Sequence, residues 1–155
     1  MIIIYYCFAG AHASVVASAI HCGMLPEDRV PSKSEFLAIP YYDTTKPDMI
    51  GQLYFMGCDT SGHQVYFMGM WNQRRQVRSI LQQILELSGR PPGSYIFQDA
   101  FPLINFSTKC GGLLSKRWHM STIGRSLTIW GIQRQYPQFV KLVEDVRRRT
   151  DADLL

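Results

Sequence analysis

Three side chains within the first fourteen residues have usable chemistry: the thiol of Cys7, the imidazole of His12 and the hydroxyl of Ser14. They fall on Cys7-Phe8-Ala9-Gly10-Ala11-His12-Ala13-Ser14, where an apolar run ends and small residues begin. A thiol near a helix start and a cation ionises easily, and the thiolate is the nucleophile. An imidazole with an ordinary pKa of ~6.5 serves as general acid or base near neutrality. If a helix begins here, the free amides of its first turn and its dipole favour an anion. The candidate catalytic residues are therefore His12, Cys7 and Asp99, with Asp99 as an orienting carboxylate for His12. The candidate ligand contacts are Gly10, Ala11, Ala13 and Ser14, with Arg74, Arg125 and Arg134 reaching in from the basic part of the chain. Each has a plainer role open to it: Cys7 as a buried strand residue, His12 as a ring bonding a backbone carbonyl, and the small residues as a tightly packed strand-to-helix turn.

Several established motifs are excluded. The loop has one glycine and no lysine, which departs from GxxxxGK[ST], and GxGxxG is absent. Six residues after Cys7 stands Ala13 rather than the arginine of a Cx₅R phosphatase loop. Cys7, Cys22, Cys58 and Cys110 form no CxxC pair or zinc-like spacing, so a structural metal is not expected. His12 and His21 are nine residues apart and do not share a helix face as an i,i+4 metal pair would.

The elements that must position these groups follow from periodicity and punctuation. Ile2 to Phe8 has the composition of a strand, and the Ala/Ser/Val segment after Gly10 has helical spacing, stopped by Gly23. Ser32 and Glu35 have capping-box spacing before a short helix over Lys33 to Ala38, and Tyr41 to Met49 reads as a surface loop. Leu53 to Gly57 and Val65 to Gly69 flank Asp59-Thr60-Ser61-Gly62 as a hairpin. Asn72 is placed to cap a helix over Gln73 to Ser88, ended by Gly89, whose first turns crowd Arg74, Arg75 and Arg78 where the dipole disfavours cations. Tyr95 to Phe97 and Leu127 to Trp130 read as short central strands, Thr108 to Trp118 as an irregular helix, and Pro137 as the first turn of a last helix through Arg149. The expected fold is an α/β three-layer sandwich with a mixed, mainly parallel sheet, Rossmann-like or P-loop-like, with one β-hairpin inserted. It forms a single domain over 1–150 with a frayed tail at 151–155. Strands one, four and five are expected to be parallel and central, with ligand contacts beyond their carboxyl ends.

The chain has 155 residues, 46% hydrophobic and 18% charged, enough for one buried core. No apolar run approaches the ~20 residues of a membrane span and no signal-peptide pattern opens the chain, which predicts a cytoplasmic protein. Residues 1–70 hold three basic and six acidic side chains, whereas residues 71–155 hold thirteen and six. That excess suits phosphates or anionic metabolites as well as an ordinary solvated face.

The opening "YYCFAGAHASVVASAIHCGMLP", the hairpin "GQLYFMGCDTSGHQVYFMG" and the later "GRSLTIWG" resemble an uncharacterised family of spore-forming Gram-positive bacteria, domain of unknown function three-one-eight-nine. Relatives more often carry Gly-Gly-Thr/Ala-His-Ser-Ser where this chain has Gly10-Ala11-His12-Ala13-Ser14. The resemblance implies a compact bacterial cytoplasmic protein and no activity, substrate or cofactor. The residues themselves predict a binder of a phosphorylated or otherwise anionic small molecule or nucleotide, acting as a transferase or hydrolase if it is an enzyme. A non-catalytic regulatory or interaction module is the alternative. Nucleic-acid binding is a weaker third reading, because no recognised module or interleaved aromatics accompany the basic residues.

Overall fold

The computed structural model describes residues 1–104 and 121–152. At its centre is β1 (Ile2–Cys7), a continuous apolar run of the kind that a strand covered on both faces requires. It pairs in parallel with β3 (Gln64–Gly69), Ile2 opposite Gln64 through Cys7 opposite Gly69, and with β4 (Tyr95–Asp99), Ile2 opposite Tyr95 through Tyr6 opposite Asp99. The remaining strand, β2 (Tyr54–Cys58), lies antiparallel to β3 with a bulge between Phe55 and Gly57, giving the order β2-β3-β1-β4.

Alternation along β1 sends Ile3, Tyr5 and Cys7 to one face and Ile4 and Tyr6 to the other. The first face is covered by α1 (Ala13–His21), α2 (Lys33–Ala38) and α4 (Ser121–Ala152), which share a core with it. The second is covered by α3 (Arg74–Leu87) through Val77, Leu81 and Leu85. This is the expected three-layer α/β arrangement. Every residue of α1 is buried, and its Ala, Ser and Val side chains let it lie between the sheet and α4. Gly23 follows its C-cap in the left-handed region at φ 69°, and the Ser32/Glu35 capping box starts α2 as the spacing predicts.

Four expectations need correction. Leu127 to Trp130 is not a strand and Pro137 does not start a helix, because both lie inside α4. The parallel strands are thus β1, β3 and β4, with β1 and β3 interior and β4 at the edge. Asn72 does not cap α3; it sits in a 3₁₀ turn over Trp71–Gln73, and the N-cap Gln73 makes no side-chain cap bond. The helix expected over Thr108 to Trp118 and the tail residues 153–155 lie outside the described residues.

Candidate functional site

The chain leaves β1 at Cys7 and enters α1 at Ala13, and the intervening loop is tied down from within. The Cys7 sulfur accepts a hydrogen bond from the Gly10 amide at 3.2 Å and lies 3.1 Å from the Ser14 hydroxyl oxygen. Cys7 is 3% exposed. The thiol thus anchors the loop, and the Ser14 hydroxyl is engaged with it. Gly10 to Ser14 are all buried, so the small residues pack closely and do not offer the open amides the sequence suggested.

A second segment, the loop after α2, closes over this turn. The Asp43 amide donates to the Ala11 carbonyl at 3.0 Å, and the Thr45 hydroxyl donates to the Gly10 carbonyl at 2.7 Å. These contacts place the Asp43 carboxylate against His12, with Nε2 3.0 Å from Oδ1. The second oxygen accepts from Arg125 Nε of α4 at 2.9 Å. Since a carboxylate only accepts, Nε2 is the nitrogen that carries the proton towards Asp43. Burial pushes the Asp43 carboxyl up, but the hydrogen bonds from His12 and Arg125 outweigh it and hold the pKa below the usual value. The cluster therefore keeps a carboxylate at neutral pH between an imidazole and a guanidinium. His12 is 9% exposed and the Arg125 side chain 41%.

Tyr42 completes the inner wall, its ring edge-on to His12 at 5.5 Å between centroids. Its hydroxyl is buried without a hydrogen-bond partner of good geometry. Thr128 lies beside it, and its own proton goes to the Arg125 carbonyl at 2.8 Å. Burial pushes the Tyr42 phenol up, so it stays a neutral donor. Backbone strain gathers here too. Among the described residues, Tyr41, Asp43 and Trp71 are the non-glycine residues with positive φ, at 67°, 56° and 51°. Asp43 and Trp71 bond directly to the β1–α1 connection, through Ala11 and Phe8, and Tyr41 is two residues before Asp43. Such conformations persist where the surroundings over-determine them, and they cluster at functional sites.

The other expected site residues separate into two places. Asp99 does not orient His12. It ends β4, accepts from the Phe101 amide at 2.9 Å and pairs with Arg74 Nε at 3.4 Å. Arg74 also lies over the Phe101 ring, 4.2 Å from its centroid. Arg134, expected past a fifth strand, instead stacks over Trp130 one turn earlier on the exposed side of α4. Sequence reading missed Asp43, the partner of both His12 and Arg125, because the loop from Tyr41 carries no periodic signal and the pairing spans 31 and 82 residues. Among the described residues, no three His, Cys, Asp or Glu side chains converge to hold a metal ion.

The family model described as protein of unknown function, DUF3189, matches residues 2–148. The chain belongs to that family. No curated protein and no solved structure matches it. The DUF3189 match takes in the β1–α1 loop, the Asp43 segment and Arg125, so each part of the cluster lies within the family's span.

Proposed function

We propose that this chain is a cytoplasmic bacterial protein that binds a phosphorylated or otherwise anionic small molecule at the His12–Asp43–Arg125 cluster. If it is an enzyme, it is a transferase or hydrolase with His12 as its acid/base. The observation that carries the reading is one carboxylate shared by an imidazole and a guanidinium from three separate segments, at the carboxyl end of the central strand. Asp43 fixes the ring and its proton, as the carboxylate does in other His-Asp pairs, which frees Nδ1 for proton transfer. Arg125 supplies a half-exposed cation. The Tyr42 ring, edge-on to His12, backs the imidazole from the core side. Cys7 has the role of loop anchor in this reading and not of nucleophile.

A panel of phosphorylated and carboxylated metabolites followed by thermal shift tests it. A ligand at one hundred times its dissociation constant adds about 2.7 kcal/mol to stability. The stabilisation is expected to vanish in Arg125→Ala and His12→Ala, and a flat panel in the wild-type protein rejects the reading. A non-catalytic interaction module is the second reading. It is favoured by the apolar stripe Ile80, Ile84 and Leu87 on α3, which is exposed to solvent and reaches 89% exposure at Leu87.

A further inference from the structure

Each of the three parallel strands is followed by an aromatic residue: Phe8 one position past β1, Trp71 two past β3 and Phe101 two past β4. They form a ladder across the sheet's carboxyl edge. Phe8 stacks on Trp71 with centroids 4.6 Å apart and planes 26° from parallel, and its other neighbour is Phe101 at 6.1 Å. The Arg74 guanidinium lies over Phe101. Trp71 terminates the ladder with 46% of its surface in solvent. Its amide donates to the Phe8 carbonyl at 2.8 Å, and its backbone is held in the left-handed region, unfavourable for a bulky side chain. Strain is thus spent on placing an indole at the surface.

The position within the fold adds to this. β1 and β3 are neighbours, yet the helices that follow them, α1 and α3, lie on opposite faces of the sheet. Such a switch point opens the crevice in which doubly wound sheets take ligands. The loops that leave β1 and β3 meet where Gly10 abuts Gly69: a Cβ on Gly10 would lie 2.6 Å from the Gly69 amide nitrogen. His12 is two residues beyond that contact in the loop after β1, and Trp71 is two beyond it after β3.

We propose that the Trp71–Phe8 stack is a base platform, and that the ligand of the His12–Asp43–Arg125 cluster is a nucleotide whose base lies on Trp71 while its phosphate meets the cationic side. This rests on the reading that the cluster takes an anion and adds the identity of the rest of the ligand. An aromatic platform accepts any base through its π-face, and one stack is worth roughly tenfold to a hundredfold in affinity.

Calorimetry and tryptophan emission with adenosine 5′-monophosphate, guanosine 5′-monophosphate, ribose 5-phosphate and inorganic phosphate test the proposal on wild type, Trp71→Ala, Trp71→Phe and Arg125→Gln. A nucleotide is expected to bind at least about tenfold more tightly than ribose 5-phosphate and to quench emission that Trp71→Phe lacks. Trp71→Ala brings nucleotide affinity down to that of ribose 5-phosphate without changing the latter, Trp71→Phe keeps most of the difference, and Arg125→Gln weakens both ligands by a similar factor. Equal affinities in the wild type, or a nucleotide affinity indifferent to Trp71→Ala, overturn the platform and leave the anion site standing. Nucleotide binding that needs Trp71 but not Arg125 overturns the joint site. Failure of all four ligands removes the anion reading and this inference together.

Discussion

A methyl group added at Gly69 would sit 2.6 Å from the Ala9 carbonyl carbon and 2.7 Å from its oxygen, and one at Gly10 would meet Gly69 just as closely. Both contacts are with backbone, which cannot swing aside. Gly69→Ala and Gly10→Ala are each expected to cost at least about 2 kcal/mol in urea denaturation through overpacking. Gly62→Ala, at φ 78° with nothing within 4 Å, carries only the conformational strain, roughly 1–2 kcal/mol. The sequence displays "YFMG" twice but does not distinguish the two glycines. Gly57 ends a bulge facing the Cys22 sulfur, whereas Gly69 receives the loop from β1. The cysteines divide in a similar way. Cys7 is sealed as the loop anchor, and Cys22 is pushed up to about 12 by burial, with Asp59 nearby adding to the rise, so it stays a thiol at neutral pH. Cys58 is exposed. Brief alkylation of the native protein, read by peptide mass spectrometry, is expected to label Cys58 well before Cys7 or Cys22, and equal labelling only after denaturation. Rapid labelling of Cys7 would restore it as a candidate nucleophile.

At the scale of elements, local signals were legible where they were strong and misleading where two punctuators fell on one helix. The opening strand and helix, the capped α2, the hairpin and α3 all lie within a residue or two of where periodicity and caps place them. The long α4 was misread because Leu127-Thr128-Ile129-Trp130 has strand composition and is followed by Gly131 and Pro137. The contrary signal was present: Ile129, Ile132, Tyr136, Phe139, Val143, Val146 and Thr150 recur at spacings of three and four, and all are buried. That inner face makes contacts on both sides of the proline, including a 2.5 Å hydrogen bond from the Tyr136 hydroxyl to the Pro26 carbonyl. Burial of the stripe overrides the local penalty, and the helix continues through a residue that cannot donate to the Gln133 carbonyl. Pro137→Ala restores that donor at an exposed position and is expected to raise stability by about 1–3 kcal/mol, seen as a higher melting temperature. A lower melting temperature would mean that the proline shapes the helix to its core.

At the scale of the whole molecule, the far end of α1 carries a polar network as buried as the candidate site. The Tyr5 hydroxyl donates to His21 Nδ1 at 2.7 Å, His21 Nε2 donates to Asp59 at 3.2 Å, and His63 reaches the same carboxylate at 3.0 Å. Arg147 of α4 closes it, donating to the Ile20 and His21 carbonyls and pairing with Glu27. The network joins β1, α1, the hairpin turn and α4. It was not legible because His21 and His63 have no partner nearby in sequence except the Asp59 that the turn itself presents. Burial pushes the His21 pKa down, the Asp59 hydrogen bond opposing it, and the Arg147 charge works in the same direction as burial. Below the unfolded value of 6.5, the unfolded chain therefore binds a proton that the folded chain refuses, and stability falls as pH drops through that point. Asp43 and Asp59 have the opposite sign relative to their unfolded state: folding lowers both pKa values beneath 3.8 through hydrogen bonds that exceed the effect of burial. Their stabilisation is complete above that value and disappears only in stronger acid. The stability profile should accordingly step down twice on acidification, first below about pH 6.5 and again below about pH 4. His21→Gln keeps a donor towards Asp59 but cannot titrate, so the first step should flatten in that variant while the second remains. Chemical denaturation across pH 3–8 measures both. A first step of unchanged slope in the variant would assign the loss to another group and leave His21 as an inert part of the core.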